Sequence, residues 1–525
     1  MNNQERETSD WAVLSVIVVG SFLSVLTASI VNVAIPQMMV IFSANANQIQ
    51  WILTAYMLVL GVMMPLAGYL GDTYGYKRMY CFSLGLFTLG SIFCGLSWSL
   101  NSMIFARVIQ AMGGGLIQPL AMALIYRTYP PHKIGAVMGL WGIAAMAGPA
   151  IGPTVGGYLI EFANWRWMFL FTVPFGVLCF FLANLRLTET QLIKGHKFDY
   201  VGLVTIILGF STLLMAISNG NKEGWTSPYI VGLFAVAAVS LTVLILTELD
   251  HPEPLLDLRL LSNQPFLLSV LLGSILSMGI FGGIFLMPML MQNVMGLSAF
   301  QCGLLLLPAA LGGAIMMPVG GRMVGKIGAR ALVIPGMALM AGASFAMSFF
   351  TAITPFSVMM VWMTVRMIGM GLGMMPITIA GMYEIQPLSV GRASSLNNVI
   401  RQVASCTGVA MFTSIMQHMQ VAHLNQMAAS INANSTDLTA LFTAARLLAA
   451  NLGVSAEVAQ YLPVGLIYKR IALDSLAMAI GDSMFISACI CAAGIFLAFL
   501  IKKPVTAPPP LLEEEELGLM EGIID

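Results

Sequence analysis

The chain has 525 residues, of which 58% are hydrophobic and only 9% charged, where an ordinary soluble domain carries roughly a quarter charged residues. A soluble fold has no room to hide that much apolar surface, so most of the chain is expected to be solvated by lipid. The formal net charge of zero argues against a nucleic-acid partner, because phosphate binding needs a cationic excess.

Residues 1–10 are polar and are expected to form a cytoplasmic N-terminus. The apolar run 11–35 is too long for the core of a signal peptide and about long enough to span a bilayer. It opens a series of fourteen such runs, near 11–35, 50–70, 79–98, 102–126, 135–160, 167–187, 199–219, 227–248, 265–291, 299–322, 331–350, 354–380, 394–417 and 477–501, separated by polar or turn-rich breaks. Between the last two lies a segment, 418–476, with Asn432, Asn434 and Asp437, expected as the one sizeable element outside the membrane. The end, 502–525, reads as an acidic cytoplasmic tail in which Glu513 to Glu516 form a solvated charge block. Lys77, Arg78, Arg127, Lys133, Arg186, Arg259, Arg322, Lys326, Arg330 and Arg392 fall on the side of the N-terminus. The short loops opposite hold only Arg166 and Lys222. By the positive-inside rule both termini are cytoplasmic. The seven cysteines all lie in apolar runs without metal-ligand spacing, so they read as small packing residues and no metal is expected.

A short cassette occurs twice. Pro65, Gly68, Gly75 and Lys77 close one apolar run, and Pro318, Gly321, Gly328 and Arg330 close another, in register and without a gap. A repeat of this kind in an apolar chain points to a carrier of two related halves. The expected plan is an N-terminal six-helix bundle over 11–187, two inserted transmembrane helices over 199–248, and a C-terminal six-helix bundle over 265–501 that includes the outer segment 418–476. The fold class is therefore an all-α membrane protein with 14 transmembrane helices arranged 6 + 2 + 6.

Three motifs carry a family resemblance. Gly68-Tyr-Leu-Gly-Asp72-Thr-Tyr-Gly75-Tyr-Lys77-Arg78 resembles the loop signature between helices 2 and 3 of the major facilitator superfamily. Glycines let helices approach closely, and Asp72 is placed either to cap a helix or to meet a cation of the opposite half and latch one face shut; a plain tight turn is the alternative. Arg107 with Gln110 and Gly113 to Gly115 resembles the superfamily's arginine-glycine motif, and Arg366 with Gly369, Gly371 and Gly373 echoes it in the second half. An arginine inside a span needs a partner or a wet cavity, unless it snorkels to the interface. Gly148-x3-Gly152-Pro153-x2-Gly156-Gly157 resembles the antiporter signature of exporters, in which small residues four apart form a groove for another helix and proline allows a bend. Together with Asn32, Trp51, Tyr56, Trp165 to Phe169, and Ser394 to Gln402, these make the chain similar to the fourteen-span drug:proton antiporters of the EmrB/QacA type, over about 11–501. The resemblance implies the major facilitator fold in a bacterial cytoplasmic (inner) membrane.

The pattern departs from that family at one place. Where the family has an aspartate in its first span, this chain has Thr27, which removes a proton site and a negative charge that would attract cations. The remaining candidates for proton coupling are Arg107, Asp72 and Asp482, with Glu248 at the inner end of span 8; none of the five histidines falls inside an expected span. Ser394, Asn398, Arg401 and Ser405 share one helical face that is ill suited to lipid. Thr27, Asn32, Tyr56, Gln118, Asn397, Asn398, Arg401 and Gln402 are the candidate lining of a substrate cavity. The candidate gating residues are Gly68, Asp72, Gly75, Lys77, Arg78, Gly148, Gly152, Pro153, Gly156 and Gly157. Seven methionines between Met359 and Met375 either fill helix interfaces or line a yielding pocket.

No phosphate-cradling Gly-x4-Gly-Lys-Ser/Thr loop is present, so a gradient is expected to supply the energy. No nucleophile-base constellation marks an enzyme, and no cofactor is expected. The expectation is a secondary exporter of small hydrophobic or amphipathic compounds, proton-coupled by resemblance. Uniport or uptake of a neutral or anionic solute and a non-transporting membrane sensor or scaffold are the alternatives. Expected partners are the lipid bilayer, a small-molecule substrate, the proton and, through the segment 418–476, a periplasmic adaptor protein.

Overall fold

The computed structural model describes residues 3–44, 46–49, 51–189, 199–250, 254–386, 389–430 and 462–501, and these residues are helical with no strand among them. The N-terminal bundle consists of α1 (Asn3–Ile41), α2 (Trp51–Tyr74), α3 (Tyr76–Gly95), α4 (Leu100–Thr128), α5 (Pro131–Phe162) and α6 (Trp167–Arg186). The inserted pair is α7 (Tyr200–Glu223) and α8 (Pro228–Asp250). The C-terminal bundle consists of α9 (Gln264–Met289), α10 (Ala299–Ile327), α11 (Ala329–Met347), α12 (Phe356–Met382), α13 (Val390–Ser430) and α14 (Leu462–Ala498). Thirteen described segments are long and apolar enough to cross a membrane, and α5, at 32 residues, is the fourteenth long helix. The fourteen long helices, in chain order, are consistent with the 6 + 2 + 6 plan.

The helices begin where the sequence supplies acceptors for their free N–H groups. Ser99 and Ser102 form a capping box at the start of α4, and Ser298 and Gln301 do the same for α10. Asp199 caps α7 by accepting from the Gly202 amide at 2.7 Å. The repeated cassette is visible in the backbone. Gly75 between α2 and α3 and Gly328 between α10 and α11 both take positive φ, +95° and +84°, a conformation that L side chains rarely adopt. Each half thus turns its second helix into its third through the same glycine-dependent link.

Contacts between the halves are pseudo-symmetric too. α2 packs on α13, and α10 packs on α5. A methyl group at Gly68 would lie 3.1 Å from the Arg392 backbone on α13, and one at Gly321 would run into the Gly135 carbonyl on α5. The first glycine of each cassette therefore presses on the other half. The inserted helices pack on each other, with α7 leaning on α2 and α13. α8 faces outward, with Val239 66% and Leu246 61% exposed, as a lipid-facing surface requires.

Two helix ends differ most from expectation. α13 runs on to Ser430 and α14 begins at Leu462, so parts of the segment 418–476 are helix, and His418 and His423 lie on α13. Hydropathy marks where lipid ends, while a helix continues through water for as long as its backbone bonds hold. Residues 431–461, with Asn432, Asn434 and Asp437, and the tail 502–525 lie outside the described residues. The methionines of α12 are largely core: Met359, Met363, Met367, Met370, Met374 and Met375 are all buried. The seven cysteines are free, and no His/Cys/Asp/Glu group among the described residues has metal-site geometry.

Candidate functional site

The cations Lys77, Arg78, Arg127, Lys133, Arg322, Lys326, Arg330 and Arg392 collect at one end of the bundle, where α2 turns into α3, α4 into α5 and α10 into α11, and where α13 begins. Asp72, 1% exposed, sits at this basic end between three helices. Its Oδ1 accepts from Arg127 Nη2 of α4 at 2.8 Å and from the Tyr76 hydroxyl of α3 at 3.0 Å. Its Oδ2 stands 3.6 Å from Arg392 Nε of α13, in the other half. The Arg127 guanidinium also lies over the Tyr76 ring, 4.2 Å from its centre. Beside this ion cluster the Gly68 amide donates to Ser395 Oγ at 2.9 Å, and Ser394 Oγ donates to the Pro119 carbonyl of α4 at 3.1 Å. The halves are therefore closed on one another here by one carboxylate and two cross-half hydrogen bonds. Of the neighbouring cassette cations, Arg78 pairs with Glu189 at 3.3 Å on the surface and Lys77 is half-buried.

α5 carries two glycine seams. Methyl groups at Gly148, Gly152 and Gly156 would meet Val25, Ser29 and Ile30 of α1 at 2.8, 2.6 and 2.9 Å. The groove of the antiporter-like signature is thus occupied by a helix of the same half. Gly157 alone of that set faces Phe300 of α10, at 3.2 Å. The seam across the halves uses Gly135 and Gly139, which meet Gly321 and Pro318 of α10. Sequence reasoning passed over these two, although their four-residue spacing was the available signal. Pro153 lies within α5 on a half-buried position.

Arg107 is fully buried in α4. Its Nη1 donates to Gln110 Oε1 at 2.6 Å, and Gln110 in turn donates to Ser91 Oγ at 2.7 Å. The guanidinium faces the Tyr56 ring of α2 at 4.4 Å and the Phe169 ring of α6 at 5.5 Å. Stacking of this kind contributes up to about 2 kcal/mol when desolvated. Nε and Nη2 have no hydrogen-bond partner among the described residues. Arg107 is therefore a packed cation with idle donors, and it does not snorkel.

Arg366 occupies the parallel position in α12, 3% exposed. Its Nε donates to Ser344 Oγ of α11 at 3.0 Å, and its Nη2 donates to the Gly279 carbonyl of α9. On α13, Arg401 Nε reaches Ser277 Oγ of α9 at 3.4 Å, Asn398 donates to the Ser394 carbonyl at 2.8 Å, and Gln402 approaches Cys406 Sγ at 3.7 Å; Asn397 is buried. The described candidate cavity residues of the first half are held by partners within that half. Thr27 is buried with its hydroxyl donating to its own helix at Leu23, 2.8 Å away, Gln118 donates to the Ser21 carbonyl at 3.2 Å, and Tyr56 is taken up by Arg107. The Asn32 side chain lies outside the described residues. Asp482 on α14 meets His423 Nε2 of α13 at 2.7 Å, a partner hidden from sequence reasoning by the assumption that α13 ends at 417.

The comparisons with known proteins accord with this architecture. The model of the Major Facilitator Superfamily matches residues 17–409. The chain is 34% identical over 522 residues, 98% of itself and 97% of the other protein, to the uncharacterized MFS-type transporter YhcA of Bacillus subtilis (strain 168). It is 30% identical to the multidrug transporter protein MdtP of the same organism, covering 79% of this chain and 77% of that one. Among solved structures, the proton:xylose symporter XylE superposes with a TM-score of 0.62 at 15% identity, over 97% of this chain and 99% of the other, a likeness of fold alone. Fourteen long helices, a duplicated glycine-turn cassette, a carboxylate joining the halves and the match to the family model together make this chain an integral membrane transporter, not an enzyme, that belongs to the Major Facilitator Superfamily.

Proposed function

We propose that the protein is a secondary exporter of small hydrophobic or amphipathic compounds, driven by proton antiport and working by alternating access in a bacterial cytoplasmic membrane with both termini inside. The observation that carries this reading is the Asp72 cluster, in which one carboxylate bridges cations of both halves at the basic end. A carrier that alternates needs a closure that is strong in one state and absent in the other, and an ion cluster split between rigid bundles has that property. The positive-inside rule assigns the basic end to the cytoplasm. Relatives near 30% identity that are named for multidrug and lincomycin resistance support efflux as the direction.

In this scheme Gly68, Gly75 and the α5 glycines let the helices close, and Asp72, Arg107 and Asp482 handle the proton. Thr27, Tyr56, Gln118, Asn397, Asn398, Arg401 and Gln402 face the substrate once the halves rock apart. Dye efflux from proteoliposomes under an imposed pH gradient tests the scheme. Efflux that collapses on adding a protonophore, together with proton uptake lost in Asp482→Asn, is the expected result. Efflux unchanged by the protonophore overturns coupling.

Thr27 favours a second reading, uniport, because its hydroxyl is satisfied within its own helix and offers no titratable group where the resembling family has one. The same assay decides between the two. Docking of a periplasmic adaptor on the segment between α13 and α14 is part of the proposal. Unchanged capture of an adaptor after deletion of residues 431–461 counts against it.

A further inference from the structure

The two buried arginines stand at matching places, yet their surroundings differ. Nine residues ahead of each cassette proline stand Tyr56 and Ala309, and three residues after each arginine stand Gln110 and Gly369. In the first half the tyrosine ring covers the guanidinium and the glutamine accepts from it. In the second half both groups are missing, and a cavity of about 40 Å³ opens between α9, α10 and α12, walled by Gly283, Met287, Ala309, Ala310, Met363 and Arg366. The guanidinium lies against Gly283, and its Nη1 has no acceptor among the described residues, since Nε and Nη2 make the bonds to Ser344 and Gly279.

A buried cation with an idle N–H in an apolar pocket is a site for an anion. The size fits one small group: a water needs about 10–15 Å³ by the same kind of measure, so the space takes about three waters or one carboxylate. One guanidinium offsets one charge, and a dianion there would retain an uncompensated charge in a low-dielectric interior. The methionine walls are flexible and polarizable, suited to an apolar body of variable shape.

The charge inventory agrees. Arg107, Arg366 and Arg401 lie within the spans, whereas every described carboxylate is at a helix end, in a connection, or already paired, as Asp72 is with Arg127 and Arg392, Asp474 with Arg470 and Asp482 with His423. Among the described residues Arg107, Arg366 and Arg401 therefore lack a carboxylate partner, although Asp72 and Glu248 are buried towards the helix ends.

We infer that Arg366 and the methionine-walled cavity beside Ala309 bind the carboxylate of a small hydrophobic acid, so that the transported class is a monoanion with an apolar body. This rests on the exporter reading for its place in a transport cycle, and the test separates the two. Three probes share one apolar body and differ in charge: 4-phenylbutyrate, 4-phenylbutyramide and 4-phenylbutylammonium. Their binding is measured on the purified full-length protein in nanodiscs, and their efflux from proteoliposomes.

The carboxylate is expected to bind at least tenfold tighter than the amide, the loss expected for one charge-assisted hydrogen bond, and the ammonium weakest of the three. Arg366→Gln is expected to erase the preference and Arg366→Lys to retain part of it. Ala309→Leu, which fills the cavity and leaves the arginine in place, is expected to weaken carboxylate binding at least tenfold. Equal binding of amide and carboxylate by the unaltered protein overturns the inference without recourse to any variant, as does carboxylate binding that survives both Arg366→Gln and Ala309→Leu in folded protein. Binding of 4-phenylbutyrate without its efflux removes the exporter reading and leaves the site. Efflux of the amide or ammonium alone removes the site and leaves the exporter.

Discussion

Replacing Asp72 by asparagine keeps the shape of the side chain and removes its charge. In the closed basic end the carboxylate stands 3.6 Å from Arg392 and 2.8 Å from Arg127. At an effective dielectric of about 20, a unit charge pair at the longer distance is worth about 4–5 kcal/mol before desolvation. Arg392 is only 17% exposed, so solvent screens the pair weakly, and the desolvation already spent on Asp72 brings the net value towards the about 1.5–3 kcal/mol typical of charged hydrogen bonds. Of the Asp72 contacts with Arg127, Tyr76 and Arg392, the Arg392 one crosses between halves. Beside the Gly68–Ser395 and Ser394–Pro119 hydrogen bonds, it is the part of this cluster that discriminates closed from open. Its loss shifts that equilibrium by about one to two decades, and the two guanidiniums left facing each other push the same way.

Tyr74 at the end of α2 and Gln386 ahead of α13 are exposed on opposite halves. Spin labels on cysteines at these positions, with exposed Cys489 replaced, report the gap by electron-electron distance measurement in nanodiscs. A single short distance that gains a long component in Asp72→Asn, matched by Arg392→Ala and not increased in the double variant, is the expected outcome. An unchanged distribution in Asp72→Asn refutes the idea that this carboxylate holds the halves together.

Within the second cassette, Gly321→Ala drives a methyl into the Gly135 carbonyl, while a methyl at Gly325 meets nothing within 4 Å. The first is expected to lower stability by about 1–3 kcal/mol and the second to be silent, read as thermal transitions by fluorescence-detected size exclusion. Arg107→Lys keeps the charge but loses the planar contact with Tyr56, so efflux is expected to fall at least tenfold with expression unchanged; normal efflux would show that charge alone suffices. Thr27→Asp places a carboxylate at a fully buried position and is expected to bring tetraphenylphosphonium into the range of transported compounds, measured as its efflux from vesicles.

Much of the architecture was legible in the amino-acid sequence, because it depends on local properties. Partition between lipid and water is a sum over about 20 neighbouring residues, so the fourteen runs could be read directly. The repeat of Gly75 and Gly328 in register is plain in the sequence, and its cause is a positive φ at each helix junction that favours glycine. What a small residue faces is not local. Gly148, Gly152 and Gly156 admit any close helix, and only packing decided that α1 fills their groove while Gly135 and Gly139 meet α10. Polar residues past a bilayer face say nothing about where a helix stops, so the pairing of His423 with Asp482 emerged only with α13 and α14 side by side. Arg107 and Arg366 stood out as a matched pair by spacing alone. That a ring and an amide close over one while the other looks into a cavity is a property of three helices at once, and only the tertiary structure decided it.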